Sequence, residues 1–81
     1  MKMKTFDYHC QIHLVDDRDD IIETLAELNG FGPAKAAFEA FLTVRTHSRI
    51  QFREGSRIVE TAQTGSYDSN TGKVALVGRW D

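Results

Sequence analysis

The sequence predicts an α+β fold in the order β-α-α-β-β-β, a four-stranded, mainly antiparallel sheet with a helical hairpin packed on one face. Three observations predict it. A run of apolar–polar alternation opens the chain. Two stretches with apolar residues at helical spacing follow, and segments joined by glycine-containing turns close it.

In residues 5–15, Phe6, Tyr8, Cys10, Ile12 and Leu14 alternate with Thr5, Asp7, His9, Gln11 and His13. Successive strand side chains point to opposite faces, so this period of two reads as a half-buried first strand. Asp16-Asp17-Arg18-Asp19-Asp20 comes next. Aspartate caps helix N-termini, and acid in a first turn complements the helix dipole. Ile21, Ile22, Leu25 and Leu28 then recur at helical spacing, with Asp20, Glu23 and Glu27 off that stripe. A first helix over residues 18–28 is therefore expected, ended by Gly30 in a left-handed conformation. Pro33 suits the first position of a second helix, where its missing N–H costs nothing. Ala34, Ala37, Phe38, Phe41 and Leu42 supply its apolar face, and it ends near residues 43–45.

Three strands follow. Ile50 and Phe52 alternate with Arg49, Gln51 and Arg53. A two-residue loop at Glu54-Gly55 would set Ile50 opposite Val59 and Arg49 opposite Glu60. Ser69-Asn70-Thr71-Gly72 reads as a four-residue turn that sets Tyr67 opposite Val74 and Thr61 opposite Trp80. On this register the helix-covered face receives Ile50, Val59, Val74, Leu76 and Trp80. The open face carries His9, His13, Arg49, Arg53, Ile58, Glu60, Ala75, Val77 and Arg79, with no aromatic. It reads either as an ordinary solvated sheet face or as a binding surface for an acidic or mixed partner.

The 81 residues form one domain with a thin core, since a chain this short buries roughly 60–65% of its unfolded surface. The net charge of −2 is unevenly placed. Residues 1–44 hold four basic and eight acidic side chains, a balance of −4; residues 45–81 hold six basic and four acidic, a balance of +2. Nucleic-acid-binding chains are usually more basic than this. One cysteine, Cys10, leaves no internal disulfide and fits a reducing, cytoplasmic setting. No apolar run approaches the ~18 residues of a membrane span, and residues 1–7 do not read as a secretory leader. An unpaired edge, at the first strand or at one end of the three-strand meander, offers a route to a homodimer.

Several chemistries fall away. His9, Cys10 and His13 resemble metal ligands only in linear order. On a strand the two histidines lie about 13 Å apart, and Cys10 points to the other face. The aspartate run lacks the spacing and closing glutamate of a calcium loop. His47 and Ser48 are adjacent but have no nucleophile elbow or orienting acid. No cofactor or metal is expected, and the chain does not read as an enzyme. The sharper reading of Asp16, Asp17, Asp19, Asp20, Glu23 and Glu27 is an acidic patch that docks on a basic protein surface.

Leu28-x-Gly30-Phe31-Gly32-Pro33-x-x-Ala36 resembles the helix-hairpin-helix motif over residues 21–44. That family binds DNA without sequence preference, through a glycine-bearing hairpin that approaches a phosphate. The resemblance implies phosphate contact at Gly30, Gly32 and the backbone of Ala34, with charge from Lys35. In profile, as a short, acidic single domain, the chain is also similar to the small inhibitors that phages and mobile elements carry, such as anti-CRISPR and antirestriction proteins. The expectation is a non-catalytic protein-binding module of the inhibitor or adaptor type. The alternative is a nucleic-acid-binding module that uses the helical connection.

Overall fold

A computed structural model describes residues 9–81 as β1 (His9–Val15), β2 (Ile21–Asn29), α1 (Phe31–Val44), β3 (Arg49–Glu54), β4 (Arg57–Asp68) and β5 (Lys73–Trp80). The fold is α+β, with five strands where four were expected and one helix where a helical hairpin was expected. The sheet order is β2-β1-β3-β4-β5, every pair antiparallel, with α1 against one face. Residues 5–8 of the expected first strand lie outside the described residues.

The main correction is the first helix. The segment expected to be helical over residues 18–28 is largely strand β2, paired along β1. Its apolar spacing of three arises differently. The β1–β2 ladder shifts register between Ile12 and His13 and again between Leu14 and Val15, each time with an extra residue on β2. A bulge adds one residue to a period of two, so Leu28 and Leu25 fit a bulged strand as well as a helix turn. The aspartate run closes a hairpin instead of capping a helix. The Asp16 carboxylate accepts hydrogen bonds from the amides of Arg18 (2.8 Å) and Asp20 (2.9 Å). The Asp16 amide donates to the Asp20 carbonyl at 2.9 Å, and Asp19 takes a positive φ of 67°. Aspartate tolerates that conformation better than most residues.

Gly30 therefore joins a strand to a helix. Its φ of 106° with ψ of 129° is open to glycine and strained for any L side chain. Pro33 sits in the first turn of α1, where no intrahelical amide is lost. Ala34, Phe38 and Leu42 are the buried stripe of the helix. They complete a core with Cys10 and Ile12 of β1, Ile50 and Phe52 of β3 and Ala62 of β4. Phe52 is its centre, with ring centroids 5.6 Å from Phe38 and 5.2 Å from Phe31.

The two later hairpins differ in how well periodicity anticipated them. In β3–β4 the loop is Gly55-Ser56, between the paired Glu54 and Arg57, and Gly55 adopts φ 60°. A bulge at Val59 then separates the Arg53–Ile58 pair from the Phe52–Glu60 pair. Ile50 consequently faces Ala62 and Arg49 faces Gln63, not Val59 and Glu60. Moving the turn by one residue shifts the pairing by two, and the bulge adds one. An odd total exchanges the faces of the residues beyond it, up to the next irregularity. In β4–β5 the expected pairs hold: Tyr67 faces Val74 and Thr61 faces Trp80. Two irregularities between these pairs offset each other.

Candidate functional site

The exchange of faces redraws the surface. Glu60, opposite Phe52, and Arg79, opposite the buried Ala62, lie under the helix instead of on the open face. There they meet Lys35 and Glu39 of α1. Arg79 holds both Glu39 oxygens and reaches Glu60 at 2.6 Å, while Lys35 lies 3.2 Å from Glu39 and 3.3 Å from Glu60. Hydrogen bonds from Arg79 hold both carboxyls below the usual range. Bonding to Glu39 raises the Lys35 ammonium, and the same network raises the guanidinium. Two cations matched to two anions make this a clamp between helix and sheet. Sequence reasoning missed it because its members lie on three elements and meet only through the bulged register.

Val74 and Leu76 do reach the helix side, where they line a cleft of about 320 Å³ with Glu39 and Leu42. Trp80 does not. It shares the opposite face with Thr61, where the Arg49 guanidinium lies 4.9 Å from its ring centroid. The open face therefore carries an aromatic after all, already occupied by a cation.

Of the residues expected on that face, His9, His13, Arg49 and Arg53 are found there, with Ile58 opposite Arg53. Val77 is the extra residue of a β5 irregularity and is exposed; Arg79 and Glu60 are absent from the face. The histidines are not a free binding pair. His13 is 3% exposed. Its Nε2 donates to Gln11 Oε1 at 2.8 Å, so its Nδ1 accepts from the Thr24 hydroxyl at 3.1 Å. Gln11 Nε2 in turn donates to His9 Nε2 at 3.0 Å. Beside this chain, Arg53 donates to Gln51 Oε1 at 2.7 Å, and Gln51 donates to Thr61. Burial, then the Arg53 charge, pushes His13 below its ordinary value, and Glu27 opposes them. These bonds tie β1 to β2 and β3 to β4 across the face, so the network orders it.

His9, Cys10 and His13, ligand-like only in linear order, occupy separate surroundings. Cys10 is in the core, where burial pushes its thiol up and away from the reactive thiolate. Among the described residues no group of three His, Cys, Asp or Glu side chains could hold a metal ion. His47 and Ser48 do not form a pair either: the Ser48 hydroxyl donates to the Thr46 carbonyl and the His47 amide to the Gly65 carbonyl.

The residues implied by the helix-hairpin-helix resemblance sit at the strand-to-helix junction. The Ala34 amide donates to the Gly30 carbonyl, and Lys35 is held between two carboxylates. Gly32 is exposed, with open space where a Cβ would stand.

The acidic patch is gathered at one edge of the sheet. Asp16 and Asp19 are committed, the first to the turn and the second to Arg49 at 3.1 Å. Asp17, Asp20, Glu23 and Glu27 are exposed, and none makes an ion pair with another described residue. They lie on the β1–β2 turn and on edge strand β2, beside exposed Ile21 and Ile22. No helix of the described residues is long and apolar enough to cross a membrane. No known family model, curated protein or solved structure matches this chain.

Proposed function

We propose that this chain is a small, non-catalytic protein-binding module of the inhibitor or adaptor type, whose partner presents a basic surface. The observation that carries the reading is the acidic edge. Among the described residues, four carboxylates with no ion-pair partner flank two exposed isoleucines on a strand with a single neighbour. Charged groups that are left unneutralised steer association and select partner sign, while exposed aliphatics supply the apolar centre of an interface.

The test is capture of partners from the native host with and without nuclease, using the wild-type chain and a variant with Asp20→Lys, Glu23→Lys and Glu27→Lys. The expected result is a nuclease-resistant protein partner that the variant fails to retain at low salt. Capture that disappears on nuclease treatment would instead establish a nucleic-acid partner and end the protein-binding reading.

A further inference from the structure

We propose that the free edge of β2, with the flank of α1 above it, receives an extended basic polypeptide segment as a sixth strand. This deepens the protein-binding reading and rests on it.

One flank of the helix is apolar and open. Lys35 and Glu39 turn toward Glu60 and Arg79 on β4 and β5. At about 100° per residue, Ala37, Phe41 and Val44 fall on the opposite flank, which is the β2 side. That flank carries no acidic side chain; its one charge is the Arg45 guanidinium at the C-cap, 6.0 Å from the Phe41 ring centroid. Ala37, Ala40, Phe41, Thr43 and Val44 line a hollow of about 290 Å³, and Val44 is 71% exposed. Leu25 and Leu28 of β2 and Ala37 and Phe41 of α1 pack on the core but remain only partly buried. A surface helix normally turns polar residues outward. Here the open apolar flank lies on the β2 side of the helix. A strand added about 4.8 Å beyond β2 would direct alternate side chains under it.

The backbone frame is available. Among the described residues β2 has β1 as its one neighbour, and residues 26–29 keep an uninterrupted antiparallel ladder with residues 9–12 before the first irregularity. The charge identifies the occupant. Residues 16–29 hold six carboxylates and one basic side chain, Arg18. The C-terminus of α1 adds the negative end of its dipole, partly offset by Arg45 at its C-cap, so the carboxylates set the sign of this edge. A second copy pairing through the same edge would set acid against acid, which disfavours self-association and leaves the edge open to a basic strand.

The probe is a short synthetic peptide that alternates lysine and valine, titrated against the labelled chain at low ionic strength and followed by amide chemical shifts and hydrogen exchange. Binding is expected, with slowed exchange confined to β2 around residues 26–29. Affinity should fall about tenfold or more in the Asp20→Lys, Glu23→Lys, Glu27→Lys variant and at high salt. Val44→Ser, which removes an exposed apolar group without adding charge, should weaken binding without lowering thermal stability. A lysine–leucine peptide of helical periodicity should bind less well and leave β2 exchange unchanged. The proposal is overturned by no binding of the strand peptide, by protection at β5 in place of β2, by equal affinity for the charge-reversed variant, or by preference for the helical peptide. A host protein captured equally well by that variant would sink the β2 site while leaving the protein-binding reading intact.

Discussion

Arg79 and Glu39 are 40 residues apart and meet only because the bulged β3–β4 register turns Arg79 under the helix. Periodicity alone would put Arg79 on the open face, out of reach. A double-mutant cycle of Arg79→Ala and Glu39→Ala therefore tests the register directly. The two side chains are 31% and 41% exposed, so screening limits the pair. Exposed ion pairs contribute about 0.2–1 kcal/mol, and bidentate geometry within a network places this one at the upper end, about 1 kcal/mol. That corresponds to about 4–8 °C in Tm for a domain of this size. Urea unfolding of the wild type, both single variants and the double variant gives the coupling energy, with the losses of Arg79–Phe38 packing and of the Lys35–Glu39 bridge cancelling in the cycle. Raising salt to 1 M shortens the Debye length to about 3 Å and should cut the coupling to about half. Coupling within about 0.3 kcal/mol of zero at low salt, in variants that remain folded, would refute the clamp and the face assignment together.

Three further outcomes follow from the geometry. His13 is held below its ordinary value, so the unfolded chain takes up more protons at this site. Its contribution to stability is fully present above pH 6.5 and is lost as pH falls from there through the depressed folded value. The fall in urea midpoint over that window should be smaller in His13→Gln. Glu39 and Glu60 add a loss of the same sign only at lower pH, below 4.5. Gly30→Ala forces an L side chain to φ 106°, with its Cβ 3.4 Å from Pro33 Cδ, and should cost about 1–3 kcal/mol in unfolding free energy. A neutral result would place a different conformation at the β2–α1 junction. Asp16→Ala removes the acceptor for two turn amides and should cost about 1 kcal/mol, seen as a lower Tm and faster exchange at Arg18 and Asp20.

Much of the architecture is local and could be read from the chain. The alternation that ends in Cys10, Ile12 and Leu14 sets β1. The stripe Ala34, Phe38 and Leu42 sets α1. The turn ending at Gly72 fixes the β4–β5 pairing, because turn chemistry and side-chain period act over a few neighbours. The acidic composition of residues 16–27 is likewise a property of the sequence. Tertiary pairing decided the rest. Whether residues 21–29 coil or extend depended on β1 offering them a ladder, since their apolar spacing suits a helix and a twice-bulged strand equally. The bulge at Val59 then decided which face Glu60, Arg79 and Trp80 occupy. A single inserted residue carries almost no local signature, yet it inverts the side chains beyond it until a second irregularity, as at Val77, reverses them again. The acid was thus legible from composition alone, while its place on a strand that is at the edge among the described residues, beside an apolar helix flank, was settled only when the strands assembled.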